Sequence, residues 1–423
     1  MNNIYELASD DKRKKPWQHV TSAQVREAIK GTLLESVVEV LESVSNPKLP
    51  LEITLPKALA LAGAALSQPV KDYDKSDMSR QGVDWLKVRI NTAGGQACNI
   101  WSLIIGETAS GKDMGRIVPK ISSTRNLSLG SSGSAEGLAD ALSDNGGGLL
   151  CISELRPFLD KRCWQHKATS FLTDAFSSGS FKVNLSKRTS EARQSNFAFP
   201  SILANVQPII LAEYGDICSV EDGFLLRYLI SVVPASTSLI RPVTEEICCS
   251  KAEDAIDVFM DTNGLVLVPP NYLADLYSTL VSGDAEALPY SRRLINEYGP
   301  RIATILSVEK EVSPPIIDAS TWKKTELILL WFYTMAEQVL LEFEIDVRQR
   351  QRERKLARAL KYIQKHSPCA KSDFSHHQVR LGDSTERDRL LNELEERGVI
   401  KLFRDNGKTI LAISGGPKVD CPF

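Results

Sequence analysis

The chain has 423 residues, 43% hydrophobic and 25% charged, with a net charge of −2, a globular composition with room for two or three domains. No overall basic field announces nucleic acid, so any such binding must be local. The longest apolar segments, Ala58–Leu66 and Leu327–Met335, are too short to span a bilayer, and Met1–Asp10 has no secretory core, so a cytoplasmic protein without a membrane partner is expected.

Eight cysteines without any C-x-x-C spacing read as reduced thiols, and five histidines offer no zinc-ligand spacing. Met1–Val20 carries the basic run Lys12–Lys15 and reads as a mobile tail. Thr21 and Gln24 form a capping-box signature ahead of Val25, Ile29, Leu33 and Val37, which predicts one long helix to about Val44. Asn46–Pro56 breaks it, and a second helix is predicted over Lys57–Ser67. This helical leader, residues 1–84, is expected to pack onto the domain that follows.

From Trp85 the pattern becomes that of an α/β sheet, expected over residues 85–235. Predicted strands are Val88–Ile90, Trp101–Ile105, Leu127–Leu129, Leu149–Ile152, Phe181–Leu185, Phe197–Ala204 and Leu229–Val233. Predicted helices are Asp113–Lys120, Ala135–Leu142, Arg156–Phe176 and Pro208–Tyr214, the first shortened or kinked by Pro119.

Gly106–Asp113, GETASGKD, follows the first long apolar strand. As G-x-x-x-x-G-K it predicts a phosphate-binding loop in which Gly106, Glu107, Thr108, Ala109, Ser110 and Gly111 turn their N–H groups inward and Lys112 meets the β/γ-phosphates. The position that usually places a Ser or Thr hydroxyl on Mg²⁺ holds Asp113. The next acidic strand ends Leu149-Leu150-Cys151-Ile152-Ser153-Glu154, with Ser153 where an Asp is usual and Glu154 placed to activate water. Two readings are open. Carboxylate and hydroxyl have exchanged walls, so that Asp113 and Ser153 still hold Mg²⁺, or both changes mark a lost metal site.

Asn205 and Gln207, at the end of the Phe197–Ala204 strand, are candidate sensors of the γ-phosphate, or loop caps. Arg227, alone in the apolar run after Asp222-Gly223, needs an anion: a structural carboxylate, or the γ-phosphate of its own or a neighbouring subunit's nucleotide.

The ordered motifs GETASGKD, LLCISE, FLTDAFSSG, SILANVQP and DGFLLRYLISVVP resemble the YfjI-like family of P-loop ATPases of phages and mobile elements, over roughly Leu51–Glu344. The resemblance implies a RecA/AAA-like core, ATP and Mg²⁺ as cofactors, and a role in replicating or mobilising element DNA. It also implies a primase or other replication proteins as partners. Asp113 and Ser153 depart from the family's usual Ser/Thr and Asp.

Residues 236–345 read as a helical appendage with helices at Asn271–Val281, Ser291–Ser307 and Ala319–Glu344, suited to lidding the nucleotide or to assembling a ring. Asp346–Phe423 holds 17 Lys+Arg against 11 Asp+Glu, beginning with Arg348, Arg350, Arg352, Arg354, Lys355 and Arg358. Its helical segments and the strands Val399–Phe403 and Thr409–Ile413, joined across Asp405-Asn406-Gly407, predict a C-terminal winged helix-turn-helix over 346–423. The helix Thr385–Arg397 is too acidic to suit phosphates, which leaves Lys401, Arg404 and Lys408 as the DNA contacts, unless the domain docks protein. The expected function is an ATP-driven motor or loader acting on DNA. The alternatives are a non-hydrolysing DNA-binding or adaptor protein and, more weakly, a small-molecule kinase.

Overall fold

The computed structural model describes residues 20–70, 82–92, 95–114, 117–131, 134–183, 193–214, 223–234, 240–244, 246–281, 289–377, 384–405 and 407–414. The Lys12–Lys15 run, Asp222 and Asn406 lie outside them. The chain forms two compact units, divided at Leu340/Leu341.

The first unit is built on a five-stranded parallel sheet. Its strands are β1 (Trp101–Ile105), β2 (Ser128–Ser131), β3 (Gly147–Ile152), β4 (Phe199–Val206) and β5 (Leu229–Val232), in the spatial order β2-β3-β4-β1-β5. β1 and β4 are buried at every position, the mark of strands covered on both faces. Two predicted strands stay out of this sheet. Val88–Asn91 pairs in parallel with Gly264–Leu267, and Phe181–Val183 forms a small antiparallel pair with Arg193–Ser195.

The leader is three helices: α1 (Ser22–Ile29), α2 (Leu33–Glu42) and α3 (Leu51–Leu66). The capping box forms as expected, with Thr21 and Gln24 bonding reciprocally. The single long helix does not, because Gly31 takes φ +77 and Thr32 caps α2 afresh. α3 begins before the predicted Lys57, since Pro56 sits in its second turn, and the whole helix is buried except Glu52, which is half-buried. It lies against β1, β3, β4 and β5. Each fully buried Leu or Ile there contributes about 1.5–3 kcal/mol, which is why the leader folds onto the sheet rather than alone.

Beyond the phosphate-loop segment, α4 (Ile117–Thr124) opens at Ile117, not at the predicted Asp113, and residues 111–114 form a turn instead. Pro119 then falls in the first helical turn, where its missing N–H costs nothing. α5 (Ala135–Asn145) ends as Gly146 turns left-handed. The predicted Arg156–Phe176 helix is three pieces, Arg156–Leu159, a 3₁₀ turn Trp164–Lys167 and α6 (Ala168–Ser178), while α7 spans Pro208–Tyr214 as expected. α8 (Ser250–Asp261), which the sequence reading left out, packs on α2 and α3.

The predicted Ser291–Ser307 helix divides into Pro289–Arg293, a π-helical turn Leu294–Tyr298 and α9 (Gly299–Leu306). α10 (Ala319–His366) is 48 residues long and runs on through the arginine-rich stretch, contributing to both units. In the first unit its Met335 Sδ accepts the backbone N–H of Val232 in β5.

The second unit consists of the end of α10, a short strand β6 (Cys369–Ala370), α11 (Lys371–His377), α12 (Ser384–Glu396) and the hairpin β7 (Ile400–Asp405) and β8 (Lys408–Ile413). The antiparallel sheet has the order β6-β8-β7. Ala359, Ile363, Phe374, Leu391, Leu394, Ile400 and Leu411 form its core. Asp405 pairs with Lys408 across the two-residue turn, where Gly407 takes φ +78.

Candidate functional site

Strand order locates the site. β1 connects leftward to the far edge at β2, whereas β4 connects rightward past β1 to β5, so the chain leaves these two neighbours in opposite directions. In an open parallel sheet the crevice outside the carboxyl ends of such a pair is where a ligand fits. Gly106–Asp113 leaves β1 there, Asn205 is the penultimate residue of β4, and Ser153 and Glu154 leave β3 on the far side of β4.

The loop is held open by backbone geometry. The N–H of Gly106 donates to the Val206 carbonyl at 3.1 Å, and Ala109 and Gly111 take φ +64 and +85. A Cβ at Gly111 would stand 3.0 Å from Leu49, in a left-handed backbone that already favours glycine. Lys112 is 3% exposed, and its Nζ folds back to the Glu107 carbonyl at 3.1 Å. The Ser110 hydroxyl is buried without a hydrogen-bond partner. Glu107 and Thr108 are exposed.

Asp113 is mostly exposed. Its Oδ1 accepts Asn205 Nδ2 at 2.8 Å and its Oδ2 lies 3.7 Å from Lys112 Nζ. Asn205 sits inside β4, opposite Ile104, and its carbonyl takes the N–H of Leu155 at 2.9 Å, which ties the turn after β3 to the crevice. Its Oδ1 is buried and unpartnered. Glu154 is half-buried, with one buried unpartnered oxygen. Burial raises its pKa above the ordinary carboxylate range; an N–H from Arg156 and the charge of Lys112 pull it back, and Asp113 pushes it up.

Thus Lys112, Asp113, Asn205 and Glu154 come together. Asp113 is paired with Asn205 rather than with Ser153, which is exposed in the bend after β3. Gln207 stands past the strand end, where its carbonyl caps α7 by accepting the N–H groups of Ile210 and Leu211.

Arg227 is not brought to the loop. It precedes β5, which runs parallel to β1, and so lies at the amino edge of the sheet, beside Trp101 rather than Gly106. There its Nη1 donates to the Gly223 carbonyl at 2.6 Å, and burial, then Arg293, lower its pKa to about 10. The strand direction thus does not bring Arg227 to the phosphate loop of its own chain.

One residue at the site was missed. Lys57 of α3 is 4% exposed, and its Nζ donates to the Met114 carbonyl at 3.3 Å, one residue beyond Asp113. The available signal was a single lysine in the apolar run Pro56–Leu66.

The residues fit a nucleotide with Mg²⁺. Ser110 Oγ, Glu154 Oε1 and Asn205 Oδ1 are buried oxygens with no hydrogen-bond partner, and Lys112 is a buried ammonium of the same loop as Ser110. Among the described residues no cluster of three His, Cys, Asp or Glu side chains forms a metal cage of its own, and Mg²⁺ beside phosphates needs only one or two protein oxygens. No protein-family model and no curated protein matches the chain.

On the second unit Lys401, Arg404 and Lys408 are all exposed. Strand alternation and the Asp405–Lys408 pair place Lys401, Phe403 and Lys408 on one face of the hairpin and Arg404 on the other. Phe403 is 46% exposed on that face. Among the described residues no helix is long and apolar enough to cross a membrane.

Proposed function

We propose that the first unit is a P-loop NTPase of the RecA/AAA type that binds ATP with Mg²⁺ and hydrolyses it. The observation that carries this reading is the convergence of Lys112, Asp113, Asn205 and Glu154 on one crevice at the carboxyl ends of β1, β3 and β4. Lys112 exchanges the Glu107 carbonyl for β/γ-phosphate oxygens, and the turned backbone N–H groups of the loop surround the same anion. Asp113 and Ser153 would hold Mg²⁺, which supplies positive charge to the transferring phosphoryl group. Glu154 orients the attacking water and accepts its proton, a task its raised pKa suits. Asn205 fixes Asp113 through Nδ2, and its free Oδ1, an acceptor, would take a hydrogen bond from the attacking water rather than from a phosphate oxygen. Arg227 acts only on the nucleotide of a neighbouring subunit in a ring, because of its place at the opposite edge.

The second unit we read as a winged helix, with α11 and α12 as its turn-helix pair and β7–β8 as the wing. The Lys401–Phe403–Lys408 face offers DNA charge and an aromatic surface together. With the YfjI-like motifs, this supports a helicase-like motor or loader in the replication of a phage or mobile element. A non-hydrolysing, nucleotide-stabilised adaptor is the second reading, favoured by Ser153 being exposed while Asp113 is engaged by Asn205.

The test is steady-state ATP hydrolysis with and without single-stranded DNA, beside Lys112→Ala and Glu154→Gln. Turnover that rises with DNA and disappears in both variants supports the motor. ATP binding without turnover transfers the function to the adaptor reading.

A further inference from the structure

The loop carries an aspartate where a neutral hydroxyl is usual, and this sets an electrostatic problem. Asp113 brings a negative charge within 3.7 Å of Lys112 Nζ, the group meant to receive phosphate. With Glu107 exposed and Asp113 set against the one lysine, the loop has no net positive charge to offer a polyanion.

α3 supplies a second cation. Lys57 is the sole charged residue of the otherwise apolar segment Pro56–Leu66, and it is buried. Burying an ammonium without an ionic partner costs several kcal/mol, so a purely structural position here would hold Leu or Met at lower cost. Its Nζ donates to the Met114 carbonyl, one residue beyond Asp113, and the carboxylate of Asp113 is the charge that favours its ammonium form. Burial lowers its pKa to about 8, and Asp113 is the larger of the two influences that raise it again. Asp113 thus answers to two buried ammonium groups, one from its own loop and one from the helix beneath.

We propose that Lys57 is a positioning residue that counterbalances Asp113, so that a phosphate-binding loop built with aspartate can still hold a nucleoside triphosphate. This rests on the reading of Gly106–Asp113 as a nucleotide site. It makes the lysine and the aspartate one coupled replacement: a chain with a hydroxyl at 113 has no need of a cation at 57.

The experiment is a double-mutant cycle read by binding of the fluorescent analogue mant-ATP with Mg²⁺ to the full chain. Lys57→Met keeps the length and apolar stem of the side chain. It is expected to weaken mant-ATP binding about tenfold or more in the parent background, and Asp113→Ser supplies the second background of the cycle. The double variant Lys57→Met/Asp113→Ser is expected to return to within about threefold of Asp113→Ser alone, a rescue that repair of packing cannot produce. Lys57→Gln, which can still donate to Met114, is expected to fall with Lys57→Met. This variant keeps the cycle readable if the methionine disturbs folding.

Unchanged binding in Lys57→Met, rescue by Gln, or a double variant as weak as Lys57→Met overturns the inference while leaving the nucleotide site standing. A parent chain that does not bind mant-ATP overturns the nucleotide site itself and this inference with it.

Discussion

The two edges of the parallel sheet both bury cations, but they hold them differently. At the amino edge three arginines surround one ring: Arg301, Arg293 and Arg227 lie 4.4, 5.8 and 6.0 Å from the centre of Phe176. Arg301 also donates to the Asn99 carbonyl at 2.6 Å, Arg293 bonds Glu297 at 3.0 Å, and the Tyr298 hydroxyl donates to the carbonyls of Trp101 and Arg227. At the carboxyl edge Lys112 and Lys57 rest on the backbone carbonyls of Glu107 and Met114. A guanidinium stacked on a ring and forked to acceptors is committed to structure. A point-charge ammonium on a carbonyl can trade that oxygen for a phosphate's. The edge built from lysines is the one arranged to receive a ligand.

The largest effect expected from this contrast is on stability. Arg301→Ala removes the Asn99 bond, the stacking on Phe176 and the more distant of the two arginines beside Glu297, and leaves a cavity in the core. Urea unfolding should show a loss of about 3–5 kcal/mol. Lys112→Ala should change stability by about 1 kcal/mol or less while reducing mant-ATP binding more than about a hundredfold. Equal stability losses at the two edges would break the comparison.

Next in size is the pH dependence set by Glu154. Its pKa is raised in the folded chain, so the proton is held more tightly there than in the unfolded chain. Its contribution to stability is then greatest at low pH and falls as pH rises from the unfolded pKa through the folded one. On the proposed mechanism ionised Glu154 is the base, so the acid limb of kcat/KM for ATP should lie above the ordinary carboxylate range. Glu154→Gln should abolish turnover and slightly raise the melting temperature at neutral pH. A lowered melting temperature would mean that Glu154 is a structural anchor.

The same contrast explains what could be read from residue order. Trp101–Ile105 and Pro208–Tyr214 were read to the residue, since a five-residue apolar run and a proline start leave little choice. The acidic and amide members of the site were legible because strand ends mark themselves. The opposite edge was not: whether Arg227 faces the loop or the far side depends on the direction of β5, which only the assembled sheet reveals. Nor could spacing predict that Asn205 would claim Asp113, since the two are 92 residues apart. Lys57 was invisible as a site residue for the same reason, lying on a helix packed across β1, β3, β4 and β5.

The smallest effect separates the edges by their thiols. Cys98, just before β1, is fully buried, and burial pushes its pKa up to about 12 despite the charge of Arg301. Cys151 in β3 is half-buried; burial pushes its pKa up to about 11, and Lys57 restrains the rise. The thiolate is the reactive form, so at pH 8 both should alkylate far more slowly than a free thiol, and the Cys151 rate should climb about tenfold per pH unit up to its pKa. Access divides them further, because Cys151 is half-buried whereas Cys98 is fully buried. With iodoacetamide and peptide mapping at pH 9, Cys151 should label measurably and be slowed by ATP with Mg²⁺, while Cys98 should stay silent in both conditions. Slowing at Cys98 alone would put the ligand at the arginine edge. No ligand effect at Cys151 would detach its strand from the nucleotide, and would leave the charge on Lys57 to be explained by folding alone.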